Sequence, residues 1–400
     1  MTDLELADFY RRTLLDDVVL FWLKHGMDGE HGGIITALDR DGSILDTDKS
    51  VWFQGRAGWM FGTLHRTIEA RPEWLAASRS CVDFLRQHGE GPGEKLYFSV
   101  TREGNPLRMR RYAYSESFAA IANAVLAAIT GEDRAAADAR RYFESYLHLS
   151  FTPGAVEAKS TRSSKGIGPL MIGIATAQEL RTHLGDLSCG GATCTEWIDL
   201  WIEEIARDFL KPDLEALLET VAPDGSLLNH FDGRLLNPGH AIEAAWFIMH
   251  EGALREEPRK VELGLTILES MWKRGWDSEF GGIFYFRDLK GLPVQEYWQD
   301  MKFWWPHNEA IIATLLAWKL TGDTKWRDRH RLVHDWSFSH FADAEFGEWF
   351  GYLHRDGTPS VRLKGSMWKG PFHLPRMLWY CLRLLENPPA KVESFRTGSK

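Results

Sequence analysis

Two histidines stand at the starts of apolar helical stretches that are far apart in the sequence. His240 lies in NPGHAIEAAWFIM, residues 237–249, and His373 lies in PFHLPR, residues 371–376. In both segments turn-forming residues come first, which places the imidazole where helical N–H groups are still unpaired. One such histidine is usually a buried core residue. Two of them need a joint explanation, and an imidazole with a pKa near neutrality suits proton transfer at carbon.

Other charged residues suggest how such a transfer would be supported. A C–H beside a carbonyl loses its proton only if the resulting enolate oxygen is stabilised, and Arg56 in VWFQGRAGW is a cation that could do so. Glu243 follows His240 by about one helical turn, and Glu309 follows His307 by two residues. We therefore predict that both acids orient histidines and raise their basicity.

Two rival chemistries use the same residue types. Paired carboxylates would suggest glycoside hydrolysis, which needs an acid and a base or nucleophile on either side of the bond. His-x-x-Glu at 240–243 could be half of a metal site, but a second such pair is missing from the sequence. We expect no metal and favour two-histidine proton transfer.

Composition limits the partners. The 400 residues carry a formal net charge of −9, with 44% hydrophobic and 26% charged residues, which argues against nucleic acid or an anionic membrane as the main partner. A small molecule remains, and the 18 tryptophans would suit either a carbohydrate cleft or a large core. The N-terminal stretch lacks the pattern of a signal peptide, and no run is apolar enough to span a membrane, so we predict a cytoplasmic protein.

A repeat determines the predicted fold. The segments that start at Asp28, Asp277 and Asp343 share an acidic-Gly start, a short aromatic strand, a turn, a second extended stretch and a Trp-rich entry into an apolar helix. Fainter copies begin near Gly93 and Ala222, and the spacing leaves room for one near Gly154.

Six units of about 65 residues, each with a hairpin, an inner apolar helix and an outer amphipathic helix, predict an all-α protein. Its architecture is an (α/α)6 barrel with short β-hairpins at one mouth. Closure of the ring makes residues 1–400 a single domain, with a poorly ordered tail from about residue 387. Residues at the starts of the inner helices should then converge on one cavity: Arg56, Tyr112, Glu116, His240, Glu309 and His373.

Five motifs carry a resemblance to a known family. They are DTDKSVWFQGR, RLLNPGHAIEAAWFIM, KFWWPHNEA, DAEFGEWF and LKGSMWKGPFHLPR, and with them the chain resembles the N-acylglucosamine 2-epimerases, also known as renin-binding proteins, from about Phe9 to Leu385. The resemblance implies an (α/α)6 barrel, commonly dimeric, that inverts C2 of an open-chain aldose through a cis-enediolate. It assigns the two catalytic histidines to His240 and His373, with Arg56 and Glu309 as essential partners.

On this interpretation the reaction interconverts N-acetylglucosamine and N-acetylmannosamine. The predicted substrate-binding residues are Trp52, Tyr112, Glu243, Lys302, Trp305, His307 and Trp368. Of these, the three tryptophans would wall the sugar, and Lys302 would contact a hydroxyl or carbonyl group. Relatives with the same two histidines epimerise free mannose and glucose or cellobiose, or interconvert mannose with fructose, and these remain alternatives.

Two further expectations concern regulation and function class. Epimerases of N-acylated sugars are often activated by ATP, but the segment Thr161-Arg162-Ser163-Ser164-Lys165 keeps only part of the associated pattern, so we expect no cofactor and at most weak ATP stimulation. The renin-binding name suggests a binding or regulatory protein as the rival from another class. That rival predicts no exchange of solvent protons into any sugar.

Overall fold

The computed structural model describes residues 1–157 and 161–391, and its regular structure is dominated by helices. The helices are α1 Asp3–Arg12, α2 Val19–His25, α3 Val51–Thr67, α4 Pro72–His88, α5 Tyr114–Thr130, α6 Asp133–Phe151, α7 Gly168–Leu184, α8 Cys194–Glu204, α9 Phe231–Arg234, α10 Pro238–Leu254, α11 Pro258–Gly275, α12 Trp304–Thr321, α13 Thr324–His340 and α14 His373–Glu386. No helix in these ranges is both long and apolar enough to cross a bilayer. Most of the tail predicted from about residue 387 lies outside the described residues.

Six inner helices form the ring, and they are buried over most of their surface because their sequences are apolar on nearly every side. In ring order they are α3, α5, α7, α10, α12 and α14, and α14 contacts α3 to close the circle. The outer helices that follow the first five are α4, α6, α8, α11 and α13. The N-terminal helices pack outside α14 and complete the sixth pair. The predicted (α/α)6 architecture is therefore confirmed.

The extended segments are short and pair mainly between successive units. The strands are β1 Lys49–Ser50, β2 Ser99–Val100, β3 Pro106–Arg108, β4 Lys165–Gly166, β5 Ser188–Cys189, β6 Ala192–Thr193, β7 Leu210–Lys211, β8 Ala216–Leu217, β9 Thr220–Val221, β10 Leu235–Leu236, β11 Arg287–Asp288, β12 Lys302–Phe303 and β13 Tyr352–Leu353. All pairs are antiparallel, and β1–β2, β4–β9, β10–β11 and β12–β13 each join a unit to the next one. Hairpins within a unit are also present, such as β2–β3.

A buried charge cluster recurs in three units and explains their shared acidic-Gly start. In each, an aspartate accepts loop N–H groups, pairs with a buried lysine and takes an arginine from the neighbouring unit. The clusters are Asp28 with Lys49 and Arg102, Asp277 with Lys302 and Arg355, and Asp343 with Lys364 and Arg40. The last cluster links the end of the chain to its beginning.

A second recurring contact ties each loop to the helix it precedes. Near the start of three inner helices a polar side chain accepts a backbone N–H from the extended segment about 20 residues earlier. The contacts are Gln54 with Ile34 at 2.8 Å, Glu116 with Leu96 at 2.7 Å, and His307 with Ile283 at 2.8 Å. These side chains hold the loops in place and face away from the central cavity.

Candidate active site

A cavity of about 690 Å³ occupies the centre of the barrel. Both histidines reach it from first-turn positions, His240 on α10 and His373 on α14, and Arg56 reaches it from α3. Of the other predicted site residues, the cavity wall includes Trp52, Glu243, Trp305 and Trp368, whereas Glu309 lies directly behind His373. The structure thus brings these eight residues together.

His240 is held at both its backbone and its ring. The Asn237 side chain caps the helix and accepts the His240 N–H at 3.2 Å, so this N–H at the start of the helix is paired. Nδ1 of the ring lies 2.9 Å from Glu219 Oε1. This carboxylate fixes the tautomer with the proton on Nδ1 and leaves Nε2 to the cavity. Burial lowers the pKa of His240, but the charge and hydrogen bond of Glu219 outweigh burial and raise it above the ordinary value.

His373 has the same arrangement but the opposite electrostatics. Its Nδ1 lies 2.7 Å from Glu309 Oε1, and the Arg376 guanidinium lies 3.3 Å from the same nitrogen. Glu309 is fully buried and also accepts the Trp246 indole N–H at 2.7 Å. Burial, followed by the charges of Arg376 and Arg56, holds the pKa of His373 well below its ordinary value. This imidazole is therefore neutral near pH 7, with a free lone pair on Nε2.

Trp305 lies between the two imidazoles. It belongs to α12, the helix between α10 and α14 in the ring, and its indole centroid is 5.1 Å from that of His240 and 5.8 Å from that of His373. A planar group that packs against this indole would therefore lie close to both imidazoles. Trp52 and Trp368 meet edge to face at 5.7 Å on another part of the wall.

Arg56 is a buried cation surrounded by aromatic rings. Its guanidinium carbon is 4.2 Å from the Phe118 centroid and 4.5 Å from those of Trp52 and Phe372. Within the described residues its Nε has no hydrogen-bond partner. Burial, together with the charge of Arg376, lowers its pKa to about 9. A cation kept this poorly solvated is well prepared to receive an anionic oxygen.

Glu243 contacts a different partner from the one predicted. The sequence suggested that it orients His240, but its Oε1 accepts the Arg376 guanidinium at 2.6 Å, and Arg376 also binds Glu309 at 2.6 Å. Glu243, Glu309 and His373 form a group whose ligand atoms could surround a metal ion. Both carboxylates, however, already share the Arg376 guanidinium, so the positive charge at this point is that of an arginine.

Lys302 and His307 were predicted to bind substrate, but the structure does not place them among the residues that line the cavity. Lys302 is fully buried, pairs with Asp277 at 2.9 Å and belongs to the recurring charge clusters. His307 uses both ring nitrogens on the backbone, at Phe303 O and Ile283 N, and burial lowers its pKa to about 3. Both side chains anchor loops.

Tyr112 and Glu116 also lie outside the cavity wall. Helix α5 begins at Tyr114, and that side chain, rather than Tyr112, lines the cavity. The two tyrosine rings are in contact, with centroids 4.7 Å apart. Glu116 points to the backbone N–H of Leu96, as described above.

Two site residues were not identified from the sequence. Arg376 follows His373 by three residues, a spacing that places both on one helical face, so the signal was present in PFHLPR. Glu219 precedes strand β9 and reaches His240 across 21 residues of sequence. No local pattern marks that contact, because it depends on the pairing of β9 with β4.

Comparisons with known proteins agree with this geometry. The family model described as N-acylglucosamine 2-epimerase (GlcNAc 2-epimerase) matches residues 32–373. The N-acylglucosamine 2-epimerase of Mus musculus is 35% identical over 385 residues, covering 93% of this chain and 90% of the mouse protein. Among solved structures, cellobiose 2-epimerase from Bacillus thermoamylovorans B4167 superposes with a TM-score of 0.82 at 20% identity, covering 95% of this chain and 98% of that one. A D-mannose isomerase gives 0.82 at 17% identity, covering 94% and 97%.

Proposed function

The chain belongs to the N-acylglucosamine 2-epimerase family, and from that premise we propose that it interconverts N-acetylglucosamine and N-acetylmannosamine by moving a proton at C2 of the open-chain sugar. The observation that carries the proposal is the pair of imidazoles on α10 and α14, both in contact with Trp305 on the cavity wall. Inversion at carbon requires a base on one face and an acid on the other.

The two environments suggest which histidine begins as the base. His373 is neutral, because burial and two guanidinium groups disfavour its charged form, and its Nε2 can accept the C2 proton. His240 holds its proton more strongly because of Glu219, so it can donate to the opposite face. The C–H electron pair becomes the C1–C2 double bond, and the carbonyl oxygen at C1 becomes an enolate oxygen, because C2 of these sugars carries nitrogen. Protonation by His240 then restores the aldehyde with C2 inverted.

After one turnover His373 carries the proton taken from C2, and His240 has given up its proton. The reverse reaction starts from that state, with His240 as base and His373 as acid. Glu219 and Glu309 act on the imidazoles through Nδ1, so they are positioning residues that stabilise each imidazolium when it forms.

Arg56 is proposed to stabilise the enolate oxygen at C1. It is the cavity cation that lacks a carboxylate hydrogen bond among the described residues, whereas Arg376 is held by Glu243 and Glu309. Its aromatic surroundings exclude water and strengthen its attraction for a developing negative charge. We propose that Trp52, Trp305 and Trp368 form the wall against which the sugar packs.

The choice of an N-acylated substrate is supported by identity to the mouse N-acylglucosamine 2-epimerase over nearly the whole chain. The alternatives on the same site are 2-epimerisation of free mannose and glucose, and interconversion of mannose with fructose. In the second case the proton would return to C1 on the same face, so one histidine would suffice. The opposed pair favours epimerisation.

Further proposals concern the protein in the cell. We propose that it acts in the cytoplasm as a homodimer, without a metal or cofactor, and that ATP stimulates it weakly at most. The family resemblance supports the dimer, and the altered Ser163-Ser164 pair supports weak nucleotide dependence. The molar mass in solution, and the epimerase rate with and without ATP, test these points.

The direct test of the proposed function is NMR of candidate sugars incubated with the protein in D2O. N-acetylglucosamine should convert to N-acetylmannosamine with deuterium at C2. Appearance of a ketose would indicate the isomerase instead, and the absence of exchange into any sugar would favour a binding protein.

A further inference from the structure

The central cavity extends far beyond the two histidines. Along α10 the residues that face it run from His240 through Glu243, Trp246 and His250 to Leu254, the last residue of the helix. At about 1.5 Å per residue, His250 lies roughly 15 Å below His240. A cavity of about 690 Å³ is in the upper part of the range for drug-sized ligands, and one open-chain hexosamine would leave much of it empty.

Along α10, the cavity-facing residues near both ends of the helix are exposed to solvent, and those in the middle are buried. His240 is partly exposed near the mouth, Glu243 and Trp246 are buried, His250 is again partly exposed, and Leu254 is 56% exposed. Helix α7 repeats the trend at its far end, where Glu179 is partly exposed and Thr182 is exposed. The cavity therefore reaches solvent at the opposite face of the barrel. We call this end the far chamber, formed by Trp59, Glu179, Thr182, His250, Leu254 and Trp379.

The far chamber presents one strong acceptor. Glu179 Oε2 is held by the Trp59 indole N–H at 2.7 Å and by His183 Nε2 at 3.1 Å. Its other oxygen, Oε1, receives no hydrogen bond from residues in the described part of the chain. A carboxylate anchored through one oxygen in this way offers the second to a ligand hydroxyl.

A donor faces the same space. His250 Nδ1 lies 2.6 Å from the Tyr380 hydroxyl, and this nitrogen is the acceptor that the phenol reaches among the described residues. The phenol therefore donates, and the ring proton of His250 resides on Nε2, which has no protein partner in the ranges that the structure covers. Glu179 and His250 are close enough for each to shift the pKa of the other.

The charge balance favours a neutral ligand. The Arg66 guanidinium lies 2.6 Å from His183, which in turn contacts Glu179, so the carboxylate is already coupled to a cation. An anion would be repelled by Glu179, and a cation would have to compete with Arg66. The walls include the Trp59 and Trp379 indoles, whose centroids are 6.0 Å apart. Indole surfaces pack on the C–H faces of pyranose rings.

We propose that the far chamber is a second binding site, separate from the reacting level, for a neutral cyclic sugar. One sugar hydroxyl donates to Glu179 Oε1, another accepts from His250 Nε2, and the ring packs against Trp59 and Trp379. Entry is from the far face past Thr182 and Leu254, so the site fills without passing the histidines.

Methyl β-D-glucopyranoside tests the site, because its ring cannot open and it cannot be epimerised. N-acetylglucosaminitol, an open-chain alditol, is added at saturation to fill the reacting level. Equilibrium dialysis should then still find one equivalent of the glucoside per chain. Glu179→Gln should weaken this binding about tenfold, the usual effect of losing a charge-assisted hydrogen bond. Thr182→Trp should abolish it by filling the entrance.

Two controls complete the experiment. Thr266→Trp, the same substitution at an exposed position outside the cavity, should bind the glucoside like the wild type. His240→Asn should also retain binding, which separates this site from the proposed reaction. Displacement of the glucoside by the alditol, undiminished binding in both Glu179→Gln and Thr182→Trp, or no binding up to the solubility limit would each overturn the proposal.

Discussion

At the scale of residues, the two imidazoles differ in the charge that each environment favours. Both pair through Nδ1 with a carboxylate, yet the pKa of His240 is raised and that of His373 is lowered. Burial lowers the pKa of both imidazoles; at His373 the charges of Arg376 and Arg56 lower it further, whereas at His240 the nearby carboxylates outweigh burial. This asymmetry makes the resting protein ready to accept a proton at His373 and to donate one from His240.

The role of Glu219 can be tested by pH dependence. Its negative charge raises the pKa of His240, so Glu219→Gln should lower that pKa, and His240 should lose its proton at a lower pH. In the direction in which His240 is the acid, the alkaline limb of kcat/KM should therefore move to lower pH, as measured by epimerisation assays over a pH series from each epimer. Glu262→Gln, on an exposed outer-helix position, should leave the profile unchanged. An unmoved alkaline limb in Glu219→Gln would remove Glu219 from this role.

The role of Arg56 rests on its planar, poorly solvated guanidinium. Arg56→Lys keeps a positive charge but loses the planar fork. We expect kcat/KM to fall by roughly ten to a thousandfold, as for a lost oxyanion donor, with little change in melting temperature. Steady-state kinetics and thermal unfolding on the same sample check this, and wild-type turnover would exclude Arg56 as the partner of the enolate oxygen.

Much of the site could be predicted at this scale, because residues at the starts of inner helices converge by symmetry. His240, His373 and Arg56 follow from that rule. The partner of Glu243 could not be predicted, because it is Arg376 on another helix. The one-turn spacing between His240 and Glu243 gives no information about contacts with that helix. Whether the buried Glu243 carboxylate pairs with His240 or with Arg376 depends on how the helices pack in three dimensions.

At the scale of elements, two residues that were predicted to bind substrate instead tie loops to helices. Lys302 and His307 stand at the start of α12 and carry groups that could bind a sugar, but both are used internally. Lys49 and Lys364 occupy corresponding places in other units, and Gln54 and Glu116 correspond to His307. Comparing the units with one another would have revealed these structural roles.

Lys302→Met tests the structural assignment. It leaves Asp277 buried beside Arg355 alone, so unfolding free energy should fall by about 3 to 5 kcal/mol, the usual effect of removing one partner of a buried pair. KM should stay near the wild-type value in the protein that remains folded. Lys290→Met, at an exposed position, should change neither quantity. An increased KM with unchanged stability would return Lys302 to the substrate site.

At the scale of the whole molecule, closure joins the two ends of the chain. The sixth inner helix, α14, packs against the N-terminal helices, and Asp343 binds Arg40 at 2.7 Å as well as Lys364 at 2.9 Å. The repeat predicted the ring, but it could not show that the N-terminus supplies the last outer helix. That arrangement follows from where the chain starts relative to the repeat.

Asp343 should make stability depend on acidity. Its hydrogen bond with Arg40 is the main cause that holds its pKa below the ordinary 3.8, so its stabilising effect is complete above that pH and is lost on further acidification. Asp343→Asn should lower the melting temperature at pH 6 and reduce the loss of stability between pH 5 and about 3. Thermal unfolding across this range provides the measurement. Equal acid sensitivity in both proteins would contradict the proposed linkage.

The central claim is that His240 and His373 act on opposite faces of C2. Removing either should lower net epimerisation by roughly a hundred to ten thousandfold, since general acid-base groups contribute about that much. The remaining histidine can still remove and return a proton on its own face.

The most direct measurement is C2 deuteration of each pure epimer in D2O by His240→Asn and His373→Asn, together with melting temperature. We expect slow exchange from one epimer only in each variant, with the favoured epimer reversed between them. Matching exchange from both epimers in either folded variant would contradict it.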